Sequence, residues 1–245
     1  MDWPVAVAIV LLAGGASFAQ ALTGFGFSLL IVPPLALVIG PKDAVVVANV
    51  LSTAVNLIML TRIHGGVAWG VSGRLFVGAL IGMPIGLLVL VYFSPTALQL
   101  LIAVTVIAFT AAMARGLEIR RSGRLGDIGV GVISGVFNTS TSMSGPPVVL
   151  YLQGQGMAPD RFRSTVTAFF FASSALSIPL LALAGRYDRD VTNASLIGLP
   201  ALLVGVVAGN WVFRRIHSSR FQTLVFGTLM LSAVIAIASA ILQAA

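Results

Sequence analysis

Cysteine is absent from the chain, and charged residues make up only 9% of its 245 residues. Without cysteine the chain has no disulfide, no thiolate catalyst and no cysteine-ligated metal. An ordinary soluble domain carries about 25% charged residues, so this chain lacks the polar surface to face water as a monomer. The only two histidines, His64 and His217, are far apart in sequence. We therefore predict no metal and no cofactor.

Motifs for several kinds of enzyme are also missing. No phosphate-binding glycine-rich motif ends in Lys-Ser or Lys-Thr, so the chain is not expected to hydrolyse ATP. No Asp, Glu, Lys, Arg or His is predicted deep in a membrane span, which leaves no proton-relay carboxylate. Both histidines are predicted in loops, remote in sequence from Ser142 and Ser144, which argues against a Ser-His hydrolase. We predict that the protein is not an enzyme.

Apolar residues account for 58% of the chain, and runs near the ~20 residues that cross a bilayer recur along it. The basic residues behind the formal charge of +7 lie in short loops between these runs, as orientation in a membrane requires. This arrangement predicts an all-α polytopic membrane protein whose partners are lipids and a small ligand, not nucleic acid. The predicted ordinary spans are Asp43–Thr61, Arg74–Tyr92, Pro95–Ala114, Asp160–Ala184, Val191–Phe213 and Phe221–Ala240.

Two further apolar runs are interrupted. Val5–Ile39 carries no charge, yet as one helix its ~35 residues would measure ~52 Å, against a hydrocarbon core of ~30 Å. The sequence Thr23–Phe27 interrupts this run, and Asn138–Pro147 interrupts the run Ile128–Gly156. Each run is predicted to form two helical pieces that meet at an irregular turn.

The order of features around the two interruptions indicates a duplication. Paired prolines follow each one, and a glycine-containing connection then leads to an acidic residue that opens the next helix, Asp43 or Asp160. Each half also has a helix with glycines four residues apart. We predict a first membrane repeat at 1–114, a basic cytoplasmic connecting loop at 115–126 and a second membrane repeat at 127–245.

The distribution of basic residues separates two topologies. If each broken run crosses the membrane once, the 14 Lys and Arg residues divide eight to six between the two sides. If each broken run is instead a re-entrant hairpin, they divide eleven to three, which is the positive-inside bias. The hairpin topology leaves three spanning helices per half, makes the two repeats inverted and places both termini outside the cytoplasm. It is the topology that we predict.

The two interruptions are the first candidates for a binding site, because irregular backbone within a membrane must line protein or a water-filled cavity. The helical piece after each interruption presents unpaired N–H groups and a positive dipole end, which suit an anion. Polar residues of the helix that follows share one face and are expected to assist. The predicted substrate-binding residues are Thr23, Gly24, Phe25, Gly26, Asn49, Ser52, Asn56, Asn138, Thr139, Ser140, Ser142, Ser144, Gly145 and Pro146.

A purely structural interpretation of these residues stays open. Gly24 and Gly26 would serve only close helix packing, and the Ser and Thr hydroxyl groups would bond to freed carbonyl groups or join helices. The same alternative applies to Asn49 and Asn56. The spacings Gly78/Gly82/Gly86 and Gly205/Gly209 are most simply helix contacts.

The chain resembles the TauE/SafE family of sulfite and organosulfur-anion exporters. The resemblance rests on the apolar duplication, on Gly24–Ser28 leading to Pro33, on Gly145-Pro146-Pro147, and on the Gly205–Gly209 helix before Arg214-Arg215. One departure is that the second turn is rich in Ser and Thr, whereas family members often have more glycine there. The resemblance implies export or exchange of sulfite, a sulfonate or a related small oxyanion across the bacterial inner membrane.

Two mechanisms fit the predicted architecture. A secondary transporter needs a central site that is reached alternately from each side, and an inverted pair of broken helices suits it. An anion channel would use the same half-helix ends along a continuous polar path. Should the turns not hold the anion, Arg161 and Arg163, predicted in a loop after the second turn, are the next candidates.

Overall fold

The computed structural model describes residues 2–62, 66–117 and 123–213. Within these ranges the regular structure is entirely helical, and six helices are long and apolar enough to span a membrane: α1, α3, α4, α5, α8 and α9. The nine described helices are α1 Trp3–Thr23, α2 Phe27–Ile39, α3 Pro41–Arg62, α4 Trp69–Tyr92, α5 Pro95–Ala114, α6 Gly123–Thr141, α7 Gly145–Gln153, α8 Pro159–Leu183 and α9 Arg189–Phe213.

The predicted multi-pass helical architecture is confirmed, and the five predicted spans that are described each match one helix within about five residues. The sixth, Phe221–Ala240, lies outside the described residues. The predicted connecting loop 115–126 is too long, because α6 already begins at Gly123. The start of α6 was not predicted because its first residues are polar. Asp127, in the second turn of α6, forms an ion pair with Arg74 of α4.

Both interruptions form three-residue turns that separate two helices. In the first, Gly24 and Gly26 adopt left-handed backbone conformations, with φ of 86° and 98°. In the second, Ser142 has a φ of 60° and is the one non-glycine residue in the described ranges with positive φ. A left-handed residue after a helix ends it, so each broken run divides at the predicted place.

Helix α7 folds back along α6. The hydroxyl group of Tyr151 in α7 donates a 2.6 Å hydrogen bond to Oδ1 of Asp127, near the start of α6. In one continuous helix these residues, 24 positions apart, would be separated by about 36 Å. The second broken run therefore folds back on itself, which brings the end of α7 close to the start of α6.

Two helix pairs pack closely through glycines, as predicted from their spacing. In the pair α4 and α6, a Cβ on Gly82 or Gly86 would overlap the backbone of Val132 or Val136. In the pair α1 and α9, a Cβ on Gly205 would overlap the backbone of Gly14. Side-chain-free surfaces let the helix backbones approach each other directly.

Helices α3 and α8 pack against each other in opposite directions. Near the start of α3, Asp43 forms an ion pair with Arg186, which follows the end of α8. Beyond the end of α3, the N–H group of Ala68 donates to Oγ1 of Thr165, near the start of α8. The two ends of α3 therefore meet opposite ends of α8, which is an antiparallel arrangement.

Candidate functional site

A small pocket lies where the two turns meet the central helices. Its empty volume is about 290 Å³, and part of that space is open to the surroundings. The first turn and the start of α2, the second turn and the start of α7, and one residue each from α1, α3 and α8 contribute to it. The lining residues are Gln20, Gly26, Phe27, Ser28, Leu29, Ser52, Ser142, Met143, Ser144, Gly145 and Phe170.

The start of α2 supplies backbone donors to this pocket. Gly26 caps the helix, and within the described residues no side chain bonds to that helix end. The first intrahelical bond runs from the N–H group of Leu30 to the carbonyl group of Gly26. The N–H groups of Phe27, Ser28 and Leu29 precede it and have no intrahelical acceptor. All three residues line the pocket, at the positive end of the helix dipole.

The start of α7 is a weaker donor than the sequence suggested. Gly145 is its first residue, so Pro146 and Pro147 occupy the second and third positions. Proline has no N–H group, and this helix end therefore lacks two of its four orphan donors. The paired prolines of α2, Pro33 and Pro34, lie well inside that helix and leave its first turn intact. The two helix ends contribute unequally to the pocket.

Two hydroxyl groups join the turns across the pocket. Oγ of Ser28 lies 3.2 Å from Oγ of Ser142, and either can be the donor. The N–H group of Ser142 bonds to the carbonyl group of Asn138, and the hydroxyl group of Ser134 donates to the carbonyl group of Ser144. These bonds hold Ser142 in its unusual conformation, which costs of order 1–3 kcal/mol, with its side chain at the pocket.

The structure places five of the predicted binding residues at the pocket: Gly26, Ser52, Ser142, Ser144 and Gly145. The other nine lie behind it or in the adjoining turns: Thr23, Gly24, Phe25, Asn49, Asn56, Asn138, Thr139, Ser140 and Pro146.

Asn49 and Asn56 are buried behind the pocket, and their amide donors are already engaged. Nδ2 of Asn49 donates to the carbonyl groups of Val45 and Asn138. Nδ2 of Asn56 donates to the carbonyl and hydroxyl oxygens of Ser52. In this arrangement the two amides position the residues that line the pocket and do not themselves offer donors to it.

Several predicted hydroxyl groups bond to backbone carbonyl groups instead. Thr23 bonds to Ala19 and to Phe25 and so braces the first turn. Thr139 bonds to Met83 of α4, and Ser140 bonds within its own helix. For these three residues the geometry matches the structural alternative.

Gln20 is a pocket residue that the sequence analysis missed. Its side chain is 1% exposed, and its Nε2 donates a 2.7 Å hydrogen bond to Oδ1 of Asn56. It is the one amide in the charge-free run Val5–Ile39, and buried amides in membrane helices mark bundle interiors. The presence of a single amide in a long apolar run was the sequence feature that could have identified Gln20.

Two charged side chains are buried near helix ends, where the sequence did not indicate burial. Arg163, expected in a loop, belongs to α8 and is only 8% exposed. Its guanidinium group donates to the carbonyl group of Ala21, in the last turn of α1, and to Oδ1 of Asn210 in α9. Asp127 is 2% exposed beside Arg74. Their positions near helix ends made both residues look like loop or surface residues.

Arg163 sits against the first turn, since a Cβ built on Gly24 would lie 2.8 Å from its Cγ. The arginine places a positive charge at the negative end of the α1 dipole. Within the described part of the chain, no three His, Asp or Glu residues group together as metal ligands would.

Comparison with known proteins identifies a family for this chain. The family model described as sulfite exporter TauE/SafE matches residues 7–236. A protein of Cupriavidus necator described as a probable sulfite/organosulfonate exporter TauE is 24% identical over 233 residues, which cover 89% of this chain and 88% of the relative. No solved structure matches the chain. Because the family model covers nearly the whole sequence, the chain belongs to the TauE/SafE family of sulfite exporters.

Proposed function

We propose that this membrane protein is a secondary transporter that exports a small sulfur oxyanion, such as sulfite or a sulfonate, and binds it in the pocket between the two broken helices. Family membership supports the export of an anion of this kind, as does the description of the Cupriavidus necator relative. The observation that carries the site is the uncapped start of α2, which opens on a pocket that both turns line.

The electrostatics of the pocket suit a weakly held anion. An uncapped helix end carries roughly half a positive charge, and the hydroxyl groups of Ser28 and Ser142 add donors at 3.2 Å from each other. An anion leaving water needs donors that are already oriented, because an unpaired charge is costly to bury. No side chain of full positive charge lines the pocket, which leaves the ligand free to dissociate during transport.

The position of the pocket along its helices supports alternating access. Ser52 is the twelfth of the 22 residues in α3, and Phe170 is the twelfth of the 25 residues in α8. Both line the pocket, so it lies near the middle of two candidate spans. This position supports a site near the bilayer midplane, where transporters with discontinuous helices bind their substrates.

We also propose that the chain is an inverted repeat, with repeats at 1–114 and 127–245 joined by the basic segment 115–126. The antiparallel contacts of α3 with α8 support this topology, because the eight-span alternative would make these helices parallel. The fold-back of α7 supports the hairpin in the second half.

Equivalent positions in the two turns are in accord with the duplication. The N–H group of Gly24 bonds to the carbonyl group of Gln20, and the N–H group of Ser142 bonds to that of Asn138, four residues earlier in each case. In each half, a buried amide residue in the last turn of the helix lies four positions before the left-handed residue that begins the turn. With the basic residues divided eleven to three, the topology places both termini outside the cytoplasm of a bacterial inner membrane.

Transport by purified protein in liposomes tests the proposal. Radiolabelled sulfite uptake should saturate, and external unlabelled sulfite should drive counterflow, which distinguishes a carrier from an anion channel. Ser28→Ala combined with Ser142→Ala should raise the half-saturating concentration about tenfold or more, since each lost hydrogen bond to a charged ligand costs about 1.5–3 kcal/mol. Thr105→Val is the control, because Thr105 does not line the pocket and its hydroxyl group bonds within its own helix to the carbonyl group of Leu101.

The outcomes separate the parts of the proposal. Flux that rises linearly with concentration and shows no counterflow would favour a channel. Normal sulfite affinity in the double serine variant at unchanged protein level would place the anion elsewhere. Transport of no sulfur oxyanion at all would remove the substrate assignment.

A further inference from the structure

We infer that the pocket selects a singly charged sulfur oxyanion that carries its own hydrogen-bond donor, and that the side-chain oxygen of Gln20 receives that donor. This inference rests on the proposed function, because it names the ligand class of the same pocket. Hydrogensulfite shares the required chemistry with short sulfonates that bear a hydroxyl or ammonium group.

The amide of Gln20 is only half satisfied. Its residue is 1% exposed and lines the pocket. Nε2 bonds to Asn56, whereas Oε1 is buried and has no hydrogen-bond partner among the described residues. A buried amide oxygen without a donor is unfavourable in a protein and rare. A ligand in the pocket can supply the missing donor.

The orientation of this amide is fixed by its neighbours and not by an arbitrary choice of the two side-chain atoms. Nδ2 of Asn56 lies 2.7 Å from the carbonyl oxygen of Ser52. Turning the Asn56 amide over would set two oxygens against each other at that distance. Asn56 therefore presents Oδ1 to Gln20, and the N–H₂ group of Gln20 must donate the hydrogen bond between them. Oε1 is the atom that remains for the pocket.

The pocket thus combines two kinds of polar group. The first N–H groups of α2 and the hydroxyl groups of Ser28 and Ser142 suit the negative oxygens of the ligand. Oε1 of Gln20 instead suits a hydroxyl or ammonium hydrogen. A dianion such as sulfate, or an alkylsulfonate with no donor, would place oxygen or methyl against an unpaired acceptor. Sites that hydrogen-bond one ligand group reject analogues that lack it.

A matched pair of ligands tests this assignment in the unmodified protein. 2-Hydroxyethanesulfonate and propane-1-sulfonate have the same charge and nearly the same length, and they differ in a hydroxyl or methyl group at the end. As inhibitors of sulfite counterflow in liposomes, the hydroxyl compound should be about tenfold or more the stronger. Comparing methanesulfonate with sulfite itself shows whether the hydrogen-bond donor of the ligand must lie on its sulfur group or on the carbon chain attached to the sulfur.

Two variants then connect the discrimination to Gln20. Gln20→Met removes the acceptor at similar size, and Asn56→Leu releases the Gln20 amide from its fixed orientation. Each should bring the inhibition ratio of the matched pair close to one. Thr105→Val, at a residue that does not line the pocket, should keep the ratio of the unmodified protein.

Two results would overturn the inference. Equal inhibition by the matched pair in the unmodified protein would mean that no acceptor faces the ligand. Equal weakening of both compounds by Gln20→Met would mean that Gln20 donates to the anion. Either result leaves sulfite transport intact, whereas the absence of transport and of ligand-induced stabilisation with every sulfur oxyanion would overturn the proposed function itself.

Discussion

The hydroxyl group of Ser177 in α8 donates a 2.6 Å hydrogen bond to Oδ1 of Asn49 in α3. The same asparagine donates through Nδ2 to the carbonyl group of Asn138, at the second turn. One buried side chain therefore joins the two central helices and the α6 end of a broken helix. Asn49 therefore supports the geometry of the pocket from behind.

Replacing Asn49 should destabilise the protein before it alters ligand specificity. Asn49→Leu leaves a buried carbonyl group without one of its donors, at a cost of about 1–3 kcal/mol. In this variant the hydroxyl group of Ser177 loses its acceptor on Asn49. It still bonds to the carbonyl group of Ser174, which partly compensates for that loss. Unfolding in detergent measures the change. In a double-mutant cycle with Ser177→Ala, the coupling should be about 0.6 kcal/mol and at most ~1.7 kcal/mol. Zero coupling would contradict the contact.

The glycines between α4 and α6 should tolerate no side chain. A Cβ at Gly82 would overlap the backbone of Val132, which cannot move aside as a side chain can. Gly82→Ala should therefore lower stability by about 1–3 kcal/mol. Gly73→Ala on the same helix is the control, since a Cβ there meets nothing within 4 Å. Equal thermal stability of the two variants would refute the close approach.

The hydrogen bond from Tyr151 to Asp127 should stabilise the folded-back position of α7. Tyr151→Phe keeps the buried ring and removes only the hydroxyl group that bonds to the carboxylate. A hydrogen bond to a charged group contributes about 1.5–3 kcal/mol, and stability should fall by that amount. Tyr92→Phe is the control, because Tyr92 is 78% exposed. A matching loss in both variants would show that the hydroxyl group of Tyr151 contributes nothing specific.

Apolar run length and the positions of helix-breaking residues were enough to predict the helices. The thickness of the bilayer sets the length of a spanning helix at ~20 residues. The same limit shows that two of the apolar runs are too long for one crossing. Both turns fell within the predicted interruptions, at the left-handed residues Gly24 and Ser142. Run length and helix-breaking residues are local properties, so they can be read from a single sequence.

The details of the site depend on which helices meet, and a single sequence does not specify that. Asn49 and Asn56 lie in one helix, as predicted, but a donor of Asn49 is used by Asn138 of α6, whose proximity is set by packing between helices. Arg163 looked like a loop residue because its partner Ala21 lies 142 positions away. Gln20 was not predicted because the site residues were chosen from clusters and regular spacings of polar residues, and a single amide forms neither.

Single cysteines in this cysteine-free chain test the inverted topology. Asp2 and Arg189 are exposed on segments predicted outside the cytoplasm, and Leu117 is exposed on the connecting segment predicted inside. An impermeant thiol reagent should label intact cells at positions 2 and 189, and should label position 117 only after the membrane is opened. In the eight-span alternative, positions 117 and 189 lie on the same side. Equal labelling of those two in intact cells would refute the hairpin topology.

Filling the pocket at Gly145 should weaken anion binding without disturbing the fold. A Cβ at this position would lie 3.4 Å from Cζ of Phe170, which is close but tolerable, and Gly145 has no positive φ. Gly24 is a poorer choice, because its φ of 86° and its contact with Arg163 would make any substitution unfold the turn.

Gly145→Val places two methyl groups where both turns converge, and should raise the half-saturating sulfite concentration about tenfold or more by displacing the ligand from charge-assisted donors. Gly129→Val is the matched control, since a Cβ there meets nothing within 4 Å on the same broken run. Flux in liposomes is compared at equal protein content, together with thermal stability of each variant. If Gly145→Val transports sulfite with the affinity of the control while remaining folded, the anion does not bind between the turns, and the open start of α2 must be satisfied by water instead.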